Sequence, residues 1–297
     1  MPVKPFLSLE QQLELLKSRG LIIANEEYAK KVLANVNYYR FSAYSLTLRE
    51  HDRFADAVTF EEVYYIYNFD ARLRNFVLKY SAPIETNLRA RMAYVHAKNH
   101  GALGYMDNSN FKDQWLHAQF LSKVRKLLDT SKEAFVLHHR NDLNGEYPFW
   151  VAVEVMTFDV ASKCLQNMVV SDQTEIAKLY DVRTKFLVNW MKCAVIARNI
   201  AAHCGRFYNR PISIKPLIPN AVVADIRSDR AFAYLYVIYQ LLSPEDKPVF
   251  IFDFKRLLSD YNEIDFDYIG LPQNWATVLS TKIKAENQQQ EQTTQPE

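Results

Sequence analysis

At 297 residues the chain is long enough to bury a substantial core, yet its six glycines are too few for a Gly-rich phosphate loop, a nucleotide-binding βαβ unit or a turn-rich β protein. A formal charge of +2 excludes a polybasic nucleic-acid coat, so any RNA contact has to be local, with arginines grouped in a cleft. The three cysteines, Cys164, Cys193 and Cys204, form no C-x-x-C pair and read as reduced thiols. The N-terminal stretch lacks the apolar core of a signal peptide, and no 18-residue apolar run occurs, so a soluble cytoplasmic protein with no membrane contact is expected.

Helix signals follow one another along the chain. Ser8 caps a run whose buried face is Leu9, Leu13 and Leu16, closed by Arg19 and Gly20. Asn25 starts a short helix through Val32 and Leu33, which leads into an aromatic knot over 37–44, expected as a packed corner. Thr59 and Glu62 have the spacing of a capping box, and the helical pattern behind them runs to about His100 with a bend expected at Pro83. Further helices are expected over 110–139, from about Pro148 with Phe149, Trp150, Val153, Met156 and Val160 on one side, over 171–180, from Thr184 to about Phe207, and over 228–242 and 244–261. The stretch 285–297 is Gln-rich and apolar-poor and reads as a disordered tail. The expectation is an all-α fold in one domain over 1–284, with N-terminal helices in 1–58, a core over about 59–215 and C-terminal helices in 216–284.

Residues 196–210 carry the densest chemistry: Ile-Ala-Arg-Asn-Ile-Ala-Ala-His-Cys-Gly-Arg-Phe-Tyr-Asn-Arg. On a helix, Cys193, Ala197, Ile200, Cys204 and Phe207 form an apolar stripe, while Asn199, His203, Arg206 and Arg210 form a polar one. The first set, Ala197 aside, is therefore expected buried, and Asn199, His203 and Arg206 are expected on one accessible face. Histidine with arginine suits RNA cleavage without a metal, because one group moves a proton near neutral pH and a permanent cation faces the charge growing on phosphorus. Arg198 lies roughly 140° round the helix from His203, so the two converge only if the helix bends near Gly205 or two copies face each other. A histidine among arginines at a helix end is most often a solvated surface group. Here the mixed polar stripe, and the absence of Glu and Lys between Lys192 and Lys215, favour a site.

Other constellations are weaker. Arg91 and His96 repeat the Arg-to-His spacing, but Met92 stands where the motif has Asn199. His96 and His100 are spaced like metal ligands, yet Ala97 replaces the glutamate of a zinc-protease helix and no third ligand is evident, so both read as structural. His138 and His139 read as a charge complement at a helix end. Asp70 with Arg74, and Glu85 with Arg89, read as i, i+4 ion pairs.

The chain resembles the Abi-like family of bacterial abortive-infection proteins, the AbiD/AbiF type, within the HEPN superfamily of helical ribonucleases. The resemblance rests on Lys4-Pro5-Phe6-Leu7-Ser8, Arg19-Gly20-Leu21, Asn37-Tyr38-Tyr39-Arg40, Phe69-Asp70 with Leu73-Arg74, and Ile84-Glu85 with Leu88-Arg89. It continues in Pro148-Phe149-Trp150 with Glu154, Thr157-Phe158, Arg198-Asn199 and Ala202-His203. It departs from the family at Asp159, often glycine, and at Ala201, often cysteine. It implies a HEPN-like bundle over 59–215 with additional helices at each end. It also implies catalysis by Arg198 and His203 without metal or cofactor, with Asn199 orienting His203 and Arg206 and Arg210 positioning phosphate. Glu85 and Arg89 would reach the cleft. The implied partners are an RNA substrate and a second copy in a homodimer, with a regulatory RNA or antitoxin holding the activity off. The function implied is a metal-independent endoribonuclease of phage defence; the alternative is a non-catalytic RNA-binding or regulatory protein in such a system.

Overall fold

The first helix, α1 (Leu9–Ser18), forms where a reciprocal cap meets an apolar stripe: the Ser8 hydroxyl accepts from the Gln11 amide and the Gln11 side chain accepts from Ser8, while Leu13 and Leu16 are buried. The computed structural model describes residues 5–281, so the Gln-rich tail over 285–297 lies outside the described residues. Asn25 caps α2 (Glu26–Val36), which ends at Asn37, a residue with φ of 62°. The Asn37 side chain then accepts from the Tyr39 amide and starts α3 (Tyr38–Tyr44), so the aromatic knot is itself a short helix. A two-residue ribbon, β1 (Arg49–Glu50) against β2 (Arg53–Phe54), is the only sheet among the described residues.

The expected capping box of Thr59 and Glu62 opens α4 (Phe60–His100), a 41-residue helix about 60 Å long that continues through Pro83. Its buried stripe runs Ile66, Asp70, Leu73, Val77, Tyr80, Ile84, Leu88, Met92 and His96, with a carboxylate and an imidazole at otherwise apolar positions.

Two expected helices are broken. In place of one helix over 110–139 there are α5 (Gln114–Thr130) and α6 (Ala134–Asp142), parted by an extended Ser131. Arg140 seals the break by donating to the carbonyls of Leu128, Asp129 and Ser131 at the end of α5. The helix expected from Pro148 is α7 (Phe149–Ala152) and a 3-10 turn, after which Met156 is extended and Thr157 caps α8 (Phe158–Asn167). Trp150 is half exposed, while Phe149, Val153, Met156 and Val160 are buried.

The remaining helices are α9 (Val170–Lys178), α10 (Thr184–Ala202), α11 (Ala231–Leu241), α12 (Asp246–Asp260) and α13 (Trp275–Ser280), the last not foreseen. The architecture is all-α, as expected. Helix α11 is apolar all round, and every residue but Gln240 is buried, so it lies inside the bundle against α4 and α10. Helices α4 and α10 run antiparallel. Asp70, near the start of α4, holds the chain just past the end of α10, whereas Thr184 at the start of α10 meets Thr174 of α9, the helix bonded to the end of α4. No helix among the described residues is long and apolar enough to cross a membrane.

Candidate active site at the end of α10

Helix α10 stops at Ala202, five residues before the expected end, and the reason is a local backbone motif. His203 is the C-cap, Cys204 takes a left-handed conformation with φ of 54°, and two hydrogen bonds close the end: Gly205 N–H to the Ile200 carbonyl at 2.7 Å and Cys204 N–H to the Ala201 carbonyl at 3.1 Å. This is the Schellman arrangement, in which glycine usually takes the left-handed position. Here glycine comes one residue later, for a steric reason. A Cβ on Gly205 would stand 2.9 Å from Ile200 Cγ2 and 3.0 Å from its carbonyl oxygen.

The stop dissolves half of the expected stripes. Cys193 and Phe207 are buried as expected and Ile200 is half-buried, but Cys204 is exposed, because it caps the helix instead of continuing its apolar face. Burial pushes the Cys193 thiol up to about 12. A bulky thiol reagent is therefore expected to label one cysteine per native chain rapidly, Cys204, with Cys164 and Cys193 protected; mass spectrometry of a brief labelling reaction checks this, and early label on Cys193 would contradict it.

Beyond Gly205 the chain is held from three sides. Asp70 is fully buried: its Oδ1 accepts the amides of Phe207 at 3.0 Å and Tyr208 at 2.8 Å, and its Oδ2 accepts the Tyr44 hydroxyl at 2.7 Å and the Arg74 guanidinium. Burial drives the Asp70 carboxyl above its ordinary range, opposed by the Tyr44 hydroxyl, Arg74 and the two amides. Arg206 donates to the Ala43 carbonyl and lies 6.0 Å over the Tyr44 ring. Arg40, from α3, donates to the Cys204 carbonyl at 2.6 Å. The Asp70–Arg74 pair was expected, and its burial and its grip on the loop were not. The sign was there in the sequence, since Asp70 occupies a place in the apolar stripe of α4. Arg40 lay in the Asn37-Tyr38-Tyr39-Arg40 block of the resemblance, but no pattern linked it to the loop after α10.

The motif residues fall into two groups. Arg198 and Asn199 are half-buried in the last turns of α10, and Arg198 donates to the Asn199 side-chain oxygen at 3.2 Å. His203 is exposed one turn on, with no hydrogen bond to its ring among the described residues, so Asn199 meets it only through the backbone, its carbonyl accepting the His203 N–H at 3.0 Å. Arg210 is exposed, its guanidinium 3.3 Å from where a Gly205 Cβ would stand. Arg206, expected on the accessible face, is half-buried and committed to α3.

Glu85 and Arg89 stay apart from this group. They pair with each other, and Arg89 also donates to the Met156 carbonyl; at 15 or more residues from Asp70 they lie over 20 Å along α4 by a rise of about 1.5 Å per residue. Arg91 of the rival spacing stacks 3.8 Å over the Tyr180 ring, and His96 is buried, so neither faces a substrate.

A family model described as Abi-like protein matches residues 31–209, which span α3, most of the bundle and the motif as far as Asn209, one residue short of Arg210. The chain belongs to the Abi-like protein family. Membership connects it with abortive infection, a form of defence against phage. No curated protein and no solved structure matches it. In this Abi-like protein the matched region contains both Arg40 and Arg206, so the clamp between α3 and the motif loop falls inside the family's span.

Proposed function

We propose that this Abi-like protein is a metal-independent endoribonuclease of the HEPN type that acts as an abortive-infection effector. The observation that carries the reading is the end of α10, where His203 is exposed at the C-cap, Arg198, Arg206 and Arg210 lie within seven residues of it along the chain, and Arg40 bonds the carbonyl of the next residue, Cys204. His203 takes the proton from a ribose 2′-OH as its oxygen bonds to phosphorus, or returns one to the departing 5′-oxygen. Arg198 faces the charge on the pentacoordinate phosphorus. A helix C-terminus carries partial negative charge and by itself repels phosphate. Arginines reverse that: Arg40 covers the Cys204 carbonyl, Arg210 reaches phosphate, and Arg206 shapes the loop between them.

The separation of Arg198 from His203 round the helix favours a composite site in a homodimer, with the arginine of one copy and the histidine of the other addressing one phosphate. Mixing inactive Arg198→Ala and His203→Ala chains is the test. Mixed dimers are expected to regain part of the wild-type cleavage, to leave a 2′,3′-cyclic phosphate, and to work in EDTA at a temperature where the stripped protein stays folded. A strictly monomeric protein with full activity would overturn the composite site, and cleavage that stops in EDTA while the fold persists would overturn the metal-free mechanism.

A further inference from the structure

The far end of α4 gathers three groups that the motif does not use. His96 and His100 sit one turn apart on α4, and Asp172 of α9 meets both. His96 Nδ1 lies 2.7 Å from Asp172 Oδ2, His100 Nε2 lies 3.0 Å from the same oxygen, and Asn99 donates to Oδ1 at 2.9 Å. One nitrogen of each ring and one carboxylate oxygen all lie within 4.8 Å of one another. The spacing of the two histidines was visible in the sequence. The third group arrives only through packing, 72 residues beyond His100.

We infer that His96, His100 and Asp172 form a binding site for a divalent transition metal of the zinc class, which staples α9 to the end of α4. Two imidazoles and a carboxylate are the donor set that zinc accepts, and histidines at i, i+4 present their nitrogens on one helix face. The side chains of His96 and Asp172 are wholly buried, while 21% of the His100 side chain is exposed, which leaves a path for a water as fourth ligand.

Charge supplies an argument independent of shape. A carboxylate in the interior is stabilised by hydrogen bonds or by positive charge, and Asp172 has Asn99 and the two imidazoles about it. No Lys or Arg bonds Asp172 among the described residues, and the nearby Lys98 pairs with Glu175. A bound cation places a fixed positive charge beside Asp172. Asn99, which bonds both Asp172 and Glu175, fixes the carboxylate in the manner of the outer partners that orient metal ligands.

The present contacts are hydrogen-bond lengths. A tetrahedral ion with bonds of about 2.0–2.2 Å sets its ligand atoms about 3.4 Å apart, so the side chains open by about half an ångström. The hydrogen shared between ring and carboxylate leaves to solvent as the metal takes its place. Asp70 and His96 are 26 residues apart on α4, about 39 Å, so the metal site is independent of cleavage at the motif.

The test uses the full chain, stripped with EDTA, dialysed and titrated with Zn²⁺ against a competing chelator. One zinc per chain is expected, with affinity reduced about tenfold or more in Asp172→Asn and in His100→Ala. His203→Ala, Cys204→Ser and His138→Ala should bind as the wild type does, which excludes surface histidines and the exposed thiol as the ligands. Co²⁺ in place of zinc should give visible bands of a nitrogen and oxygen site without a thiolate charge-transfer band, and saturating zinc should raise the melting temperature of the wild type but not of Asp172→Asn. Circular dichroism checks that each variant folds; His100 is partly exposed, so His100→Ala decides the matter if Asp172→Asn does not fold. Absent zinc binding, binding that survives His100→Ala unchanged, or binding lost with Cys204→Ser or His138→Ala would overturn the site.

Discussion

Changing His203 to Ala is expected to lower RNA cleavage by about 10²–10⁴-fold, the usual contribution of a positioned acid–base group, while leaving RNA affinity within a few-fold of wild type. The argument begins with the place of the side chain. His203 caps α10, its ring is exposed, and no hydrogen bond to that ring is present among the described residues, so its removal costs the fold little. Arg198→Ala should cost about 10²–10³-fold in the chemical step, as loss of one oxyanion-stabilising group does elsewhere. Single-turnover cleavage at saturating RNA, with affinity measured on the same preparations, separates the two effects. Equal cleavage by His203→Ala and wild type would sink the ribonuclease reading, and a wild type that binds RNA without cutting it would favour the non-catalytic alternative.

Asp70→Ala is expected to destabilise the protein by about 3–5 kcal/mol, read from urea unfolding. The carboxylate is fully buried and accepts from Arg74, Tyr44 and the amides of Phe207 and Tyr208. Alanine leaves a buried guanidinium, a hydroxyl and two backbone donors without their acceptor, and the cost of unmet buried groups exceeds the net worth of the bonds lost. Against a typical total of 5–15 kcal/mol, that brings the chain near its unfolding threshold. Tyr44→Phe removes one neutral partner and should cost only about 1 kcal/mol. A loss below about 1 kcal/mol for Asp70→Ala would show that the network does not hold the fold.

How much of this was legible in the sequence depended on how local each determinant was. The starts of α1 and α4 were readable because their caps are built from residues three apart, Ser8 with Gln11 and Thr59 with Glu62. The stop of α10 was misplaced because the left-handed residue is Cys204, not a glycine, and Gly205 is required by the nearness of Ile200, a contact that composition alone does not announce. The break between α5 and α6 has no Gly or Pro to mark it and depends on Arg140 reaching back over carbonyls nine to twelve residues earlier. At the candidate site the Arg198, Asn199 and His203 spacing was plain. The roles of Asp70 and Arg40 needed the fold, since their contacts span 137 and 164 residues.

The loop after α10 is tied by Asp70, Arg40 and Arg206 to two other helices, yet the imidazole ahead of it has no such tie. Its backbone is fixed while its side-chain torsions retain their entropy. Folding therefore leaves one ordering cost unspent, about 0.5–1.5 kcal/mol for a side chain immobilised on binding. That cost falls on the encounter, when a ribose or a second subunit selects one rotamer from several. A variant or partner that restricts the ring in advance would thus raise affinity for the reacting geometry without adding a single contact to the RNA.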